Sequence, residues 1–153
     1  AEDSLPHMEK MYTLVRVGCT RPTQGWIKFN IGRALIPQNQ SATCALQAAK
    51  ENGFNRVMFE SDSVIDVDLI VKGCPPNHSC SSIVSRINRL KMQECEVSFH
   101  HIYRQANQIA IRLVRHTLTI PTSIHYLNNP LPGCIILLWQ DIVGVLFNHR
   151  IPL

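Results

Sequence analysis

Two acidic side chains stand at the end of an apolar run near the middle of the chain. Val57, Met58 and Phe59 are followed by Glu60 and, two residues later, by Asp62. A carboxylate at the end of a buried strand is costly to desolvate, so it commonly serves a metal ion, a cation or a substrate. The pattern therefore indicates such a site, provided that other segments of the chain supply its remaining ligands.

Positive charge is concentrated in the half of the chain that follows this acidic pair. The 153 residues include 15 Lys and Arg against 11 Asp and Glu, for a net charge of +4. Between residues 69 and 140 the only acids are Glu94 and Glu96. The basic residues of that span are Lys72, Arg86, Arg89, Lys91, Arg104, Arg112 and Arg115. This distribution favours a polyanionic partner, and a basic solvated face without a ligand is the alternative.

The composition predicts one globular domain in an intracellular, reducing compartment. With 45% hydrophobic and 17% charged residues, the chain has enough apolar side chains for one core. Its six cysteines form no C-x-x-C pair and no zinc-ligand pattern, so we expect reduced thiols. Residues 1–10 are polar and acidic, which is not typical of a secretion signal. The apolar run over 134–147 is interrupted by Gln140 and Asp141 and is too short to span a bilayer. We expect that run to be a core or docking segment.

The hydrophobic periodicity predicts three strands and four helices in an α/β order. The predicted strands cover 26–31, 56–60 and 96–103, and the predicted helices cover 40–52, 63–72, 79–91 and 107–119. Residues 1–24 have little periodic pattern and are expected to be poorly structured, 25–120 form the domain, and 121–153 form an apolar tail.

Three segments together resemble the plant ribonuclease H-like domain, the reverse-transcriptase-like module of retroelement-derived reading frames. They are residues 25–30 (GWIKFN), 53–63 (GFNRVMFESDS) and 97–110 (VSFHHIYRQANQIA), and the resemblance extends over about residues 25–118. It implies a mixed sheet flanked by helices and four carboxylates that hold two Mg²⁺ ions. It also implies hydrolysis of the RNA strand of RNA–DNA hybrids, because two metals can activate a water and stabilise the leaving oxygen.

Only one of the four acids that the resemblance implies is present. The positions that correspond to the other three are Gly32, Gln38 and Ile111, and Arg33 adds a positive charge beside the first. Asp62 is therefore the candidate metal ligand and catalytic remnant, and catalysis is expected to be impaired. The alternative for Asp62 is an N-cap of the helix that begins near Ser63.

The connection between the first strand and the first helix is too short for the hairpin that the family has at this point. Residues 34–41 include Pro37, whereas two strands of typical length need about ten residues before any turn. We therefore expect a sheet of three strands that lacks strands 2 and 3 of the family, with the outer edge of the first strand unpaired.

Several other residues are candidates for nucleic-acid contact. Arg104 and Asn107 follow the third strand and could bind phosphate, although Asn107 could equally cap its helix. His101 could transfer a proton or could simply be hydrogen-bonded. Glu60 is expected at the surface, paired with Arg56. The remaining candidates for contact with a nucleic-acid backbone are Arg86, Arg89, Lys91, Arg112 and Arg115.

Three hypotheses remain open on the sequence alone. The chain is a Mg²⁺-dependent ribonuclease H that acts on RNA–DNA hybrids, or a degenerate domain that binds a hybrid or RNA without cutting it. The third alternative is a decayed retroelement fragment that acts only in protein interaction or has no function.

Overall fold

The computed structural model describes residues 11–33, 35, 41–91, 95–117 and 127–153. The strands are β1 (Tyr12–Val17), β2 (Ile27–Ile31), β3 (Arg56–Ser61), β4 (Glu96–His101) and β5 (Phe147–Pro152). The α-helices are α1 (Ser41–Glu51), α2 (Val64–Val71), α3 (Ser81–Lys91), α4 (Gln108–Thr117) and α5 (Ile135–Val143). Two short 3₁₀ helices cover Arg104–Ala106 and Pro132–Cys134.

A three-stranded parallel sheet forms the centre of the fold, in the order β2-β3-β4. Its register places Phe29 beside Phe59 and Phe59 beside Phe99, and the stacked rings have centroids 5.4 and 4.8 Å apart. Such cross-strand aromatic pairs stabilise a register because they bury large apolar areas. The predicted α/β fold of the ribonuclease H-like type is confirmed, and within the described residues the central sheet consists of the three predicted strands.

Helices α1, α2 and α3 cover the face of the sheet that carries the phenylalanines. Their apolar stripes, which include Leu46, Ile70 and Ile87, pack with Val57 and Phe59 in one buried cluster. Helix α1 ends at Glu51, and the turn after it contains Gly53, whose φ of +70° is the left-handed conformation that glycine adopts without strain.

Helix α2 begins after Ser63, whose hydroxyl accepts a hydrogen bond from the backbone nitrogen of Asp66 at 3.3 Å. Ser63 is therefore the N-cap, and the alternative that Asp62 caps this helix is wrong. The chain leaves β3 at Ser61, so Asp62 lies between the strand and the cap, and its carboxylate is available for other contacts.

The connection between β2 and α1 contains no strand among its described residues, which are Gly32, Arg33 and Leu35. Gln38 and the other residues of this connection lie outside the described residues. The three strands of the central sheet are all parallel, and antiparallel pairing occurs only in a second sheet within the part of the chain that the structure describes.

The second sheet is a two-stranded antiparallel ribbon of β1 and β5, with Tyr12 opposite Pro152 and Val17 opposite Phe147. Residues 12–17 form a strand here, in contrast to the expectation that 1–24 are poorly structured. The reason is long-range pairing: the partner strand comes from the far end of the sequence, which local periodicity does not reveal.

The opposite face of the central sheet carries α4 and the C-terminal segment. Helix α4 packs closely on β2, and a Cβ added to Gly32 would lie 2.5 Å from Cγ2 of Val114. Helix α5 buries none of its residues, and Trp139 and Ile142 are 61% and 65% exposed. It is therefore not the core segment that one interpretation of the sequence predicted. No helix in the described ranges is long and apolar enough to cross a membrane.

Candidate functional site

Asp62 contacts two residues from the segment that joins β4 to α4. Its Oδ1 accepts a hydrogen bond of 2.9 Å from Nδ2 of Asn107, and its Oδ2 lies 3.8 Å from Nε of Arg104. The side chain of Asp62 is 16% exposed, whereas that of Arg104 is 69% exposed. The fold thus brings together three residues that were candidates separately, because parallel strands end at the same edge of a sheet.

Asn107 is the centre of this arrangement and is only 2% exposed. Its Nδ2 also donates to the backbone oxygen of Ile31 at 3.0 Å, and its Oδ1 accepts from Nδ2 of Asn30 at 3.2 Å. The backbone oxygen of Asn107 accepts a hydrogen bond from the backbone nitrogen of Ile111, in the first turn of α4. Its side chain therefore joins β2 and Asp62 to the start of the helix, and the described contacts do not include the side-chain cap that was the alternative.

Glu60 is buried, with a residue exposure of 7%, and forms an ion pair of 3.0 Å with Nζ of Lys28. It also accepts a hydrogen bond of 3.2 Å from Asn30, which lies directly opposite in the register. The expectation of a surface Glu60 paired with Arg56 is wrong. Arg56 instead lies 3.6 Å from Glu96, its neighbour in β4, because that register sets those two side chains side by side.

Lys28 connects Glu60 to a second group, the half-buried thiol of Cys19. Its Nζ lies 3.4 Å from Sγ of Cys19 and also donates to the backbone oxygen of Thr20. Burial lowers the pKa of Lys28, but its hydrogen bond and charge interaction with Glu60 outweigh this, and the pKa is raised overall. Burial raises the pKa of the Cys19 thiol and also that of Asp141, which contacts Cys19. Sequence reasoning missed this network, although Lys28 and Asn30 alternate in β2 and so share one face of the sheet.

The described residues do not supply the ligands of a metal pair. No group of three or more His, Cys, Asp or Glu residues among them is placed to hold a metal ion. The nearest acid in sequence, Glu60, is neutralised by Lys28, and Asp62 is bonded to Asn107. Gly32 has no room for a side chain, and Ile111 is apolar. The donor set therefore does not fit the two Mg²⁺ ions that the sequence resemblance implies.

His101 lies opposite Ser61 in the sheet and is exposed. Its ring meets Tyr103 edge-on at 5.6 Å, and Tyr103 in turn stacks on His149 of β5 at 3.9 Å. His149 also lies 3.1 Å from Oε1 of Gln105. These contacts attach the ribbon of β1 and β5 to the β4–α4 connection. The role of His101 in proton transfer stays a prediction.

Three of the predicted basic residues line one groove, which we call the α4 groove. It has a volume of about 940 Å³ and lies between α4 and the C-terminal segment. The wall formed by α4 and the connection before it contains Arg104, Arg112 and Arg115 together with Ile111 and His116. The wall formed by residues 131–147 contains Leu131, Pro132, Leu137 and Phe147, and the two walls meet where the guanidinium of Arg112 lies against Gly133. No acidic side chain lines it among the residues that the structure describes. A groove with one cationic wall can hold an anionic chain.

Comparison with known proteins identifies the family. The model of the reverse-transcriptase-like family matches residues 38–117, which is just over half of the chain. The chain belongs to this reverse-transcriptase-like family. It is also 27% identical over 137 residues to an Arabidopsis thaliana protein named "Putative ribonuclease H protein". That alignment covers 88% of the chain but only 22% of the relative. No solved structure gives a significant match. The resemblance inferred from the sequence is confirmed.

Only one wall of the α4 groove lies within the residues that match the reverse-transcriptase-like family. Arg104, Arg112 and Arg115 lie within the matched residues, whereas the apolar wall comes from residues 131–147, beyond the match. The groove is therefore formed by a helix within the matched residues and by a segment outside them.

The other predicted basic residues of this reverse-transcriptase-like domain lie elsewhere. Arg86, Arg89 and Lys91 belong to α3, which packs on the opposite face of the sheet from α4. Nζ of Lys91 lies 5.6 Å from the ring centroid of Phe99, so its stem covers the core edge. The basic set that the sequence presents as one group is thus divided between two surfaces.

Proposed function

We propose that this chain is a ribonuclease H-like domain that binds nucleic acid through the α4 groove and does not hydrolyse it. The proposal rests on one observation: the same groove is lined by Arg104, Arg112 and Arg115. This groove adjoins the single acid that remains of the family pattern, since Arg104 also contacts Asp62.

The arginines are suited to phosphate contact. All three are exposed, and Arg112 and Arg115 are three residues apart on α4, so they project from the same side of the helix. A guanidinium group can donate two parallel hydrogen bonds to phosphate oxygens. The ion pair of Arg104 with Asp62 is long and exposed, and such pairs contribute little, so Arg104 can exchange this contact for a phosphate.

The acidic end of β3 is suited to structural support and not to catalysis. Cleavage by two metals needs several carboxylates around the scissile phosphate. Here Asp62 is bonded to Asn107, Glu60 is bonded to Lys28, and the other two described positions are Gly32 and Ile111. Each remaining carboxylate has a partner that stabilises the fold.

The first experiment measures binding of a labelled RNA–DNA hybrid to the purified chain by fluorescence anisotropy at several salt concentrations. Counterion release predicts that log K falls linearly with log salt, by about 0.9 for each phosphate contact. Three arginine contacts therefore predict a slope of about −2 to −3. No binding at low salt of either the hybrid or single-stranded RNA, or a flat salt response, would refute the proposal.

The second experiment tests catalysis with the same hybrid in Mg²⁺ and in Mn²⁺. The expected product yield equals that of an Asp62→Ala variant, because a single carboxylate does not hold a metal pair. Cleavage by the unaltered chain that disappears in Asp62→Ala would show that the domain is an active ribonuclease.

A second candidate function, protein interaction, is favoured by the exposure of α5. Its apolar residues Ile135, Ile136, Trp139, Ile142 and Val143 are all more than half exposed. If this is the main function, the chain binds neither a hybrid nor single-stranded RNA at low salt, but self-associates or binds a partner protein. Sedimentation velocity of the purified chain and of Trp139→Ser tests self-association directly.

A further inference from the structure

We infer that the α4 groove holds a single strand of nucleic acid, with phosphates on the arginine wall and bases on the apolar wall. This inference rests on the proposed nucleic-acid binding and goes beyond it by naming the class of ligand. It is carried by the contrast between the two walls of the groove.

The apolar wall offers surface for base stacking. Leu131, Leu137 and Phe147 are half-buried, so part of each side chain faces the groove. The faces of nucleic-acid bases are apolar and aromatic, and they stack on such side chains without regard to sequence. A groove that has arginines along one side and apolar side chains along the other matches the two sides of an unpaired strand.

The two walls are held in place by contacts between the ribbon of β1 and β5 and the β4–α4 connection. His149 stacks on Tyr103 at 3.9 Å, and Gln105 bonds both the ring of His149 and the backbone oxygen of Asn148. Phe147, on the same strand as His149, is thereby fixed opposite α4. The groove is thus formed before any ligand binds, which lowers the entropy lost on binding.

A duplex fits this groove less well. Its bases are stacked inside, and it presents phosphates on both strands, so the apolar wall would desolvate a row of phosphates without compensation. The second group of basic residues cannot compensate, because Arg86, Arg89 and Lys91 lie on α3 across the sheet. A hybrid duplex would therefore contact the arginine wall alone.

The test compares four ligands of about 10 nucleotides, a length within the range of single-strand sites. They are single-stranded RNA, single-stranded DNA, an abasic DNA strand and an RNA–DNA hybrid. We expect both intact strands to bind at least about five-fold more tightly than the abasic strand, which keeps the phosphates but has no bases. The hybrid should bind more weakly than the intact strands. Equal affinity for intact and abasic strands, or tighter binding of the hybrid, would overturn the inference.

A variant on the apolar wall makes the test specific to the groove. Leu137→Ala should weaken binding of the intact strands and leave binding of the abasic strand unchanged. The matched control is Ile136→Ala, on the same helix but outside the groove lining and 63% exposed, which should change neither. Circular dichroism of both variants verifies folding, and the ratio of intact to abasic affinity needs no assumption about the folded fraction.

The outcomes separate this inference from the proposed function. If none of the four ligands binds at low salt, nucleic-acid binding itself is wrong, and the inference falls with it. If all four bind with the same affinity and a steep salt dependence, the binding function stands and the single-strand inference is wrong.

Discussion

Nδ2 of Asn107 lies 2.9 Å from Oδ1 of Asp62 and 3.0 Å from the backbone oxygen of Ile31. One amide group therefore joins the ends of β2 and β3 to the start of α4. Because Asn107 is almost fully buried, water cannot replace these bonds when the side chain is removed. Asp62 is therefore held by a contact that also positions β2 and α4, so this carboxylate has a structural role in the fold.

Replacing Asn107 should destabilise the fold. Asn107→Ala removes the donor to one buried and one partly buried acceptor, and we expect the free energy of unfolding to fall by about 1–3 kcal/mol. Urea denaturation followed by circular dichroism measures this change. The control is Asn88→Ala, because Asn88 is an exposed asparagine on α3. Equal effects of the two substitutions would show that the buried bonds of Asn107 contribute nothing.

The ion pair between Lys28 and Glu60 should be sensitive to the loss of either partner. Glu60→Gln leaves a buried ammonium without its counter-charge, and we expect a loss of about 3 kcal/mol in the free energy of unfolding. The double variant Lys28→Met/Glu60→Leu removes both charges and should be more stable than Glu60→Gln. A double variant that is less stable than the single one would contradict this interpretation of the pair.

The stability of the chain should fall in alkaline solution as Lys28 loses its proton. Because the pKa of Lys28 is raised in the folded state, its contribution is fully present below its unfolded pKa of about 10.4 and is lost as pH rises through the folded value. Unfolding by urea from about pH 9 to about pH 12 should show a decline above about pH 10.4 that is steeper for the unaltered chain than for Lys28→Met/Glu60→Leu. Parallel declines would mean that other groups account for the pH dependence.

The close approach of α4 to Gly32 should exclude a side chain at that position. Gly32→Ala places a methyl group against Val114, and overpacking of this kind costs about 1–3 kcal/mol. The same substitution should cost less in a Val114→Ala background, which a double-mutant cycle measures by urea denaturation. Equal costs in the two backgrounds would show that Val114 is not the obstacle.

Removal of arginines should distinguish the two basic surfaces. Arg112→Ala/Arg115→Ala should weaken hybrid binding and reduce the magnitude of the salt slope by about 1 for each lost phosphate contact. The matched variant Arg86→Ala/Arg89→Ala, on α3, should change affinity and slope less. The reverse result would place the nucleic-acid surface on α3 and refute the assignment to the α4 groove.

The order of strands and helices from 26 to 117 could be predicted from the sequence because each element has its own hydrophobic period. The spacing of apolar residues in α3 and their alternation with polar residues in β4 indicate which side chains face the core. These patterns can be seen within each segment alone. The ribbon of β1 and β5 could not be predicted in the same way, because neither strand alone indicates a partner more than a hundred residues away in the chain.

The sequence by itself determined the family, since Asp62 and its neighbours form a pattern of residue types that needs no coordinates. Only the tertiary structure decided which contacts those residues make. Parallel register buried Glu60 against Lys28, and the crossing of α4 turned Asn107 toward Asp62. The division of the arginines between two faces was decided in the same way. The sequence shows which residues are positively charged, but only the packing of α3 and α4 on opposite sides of the sheet decides which surface each arginine lies on.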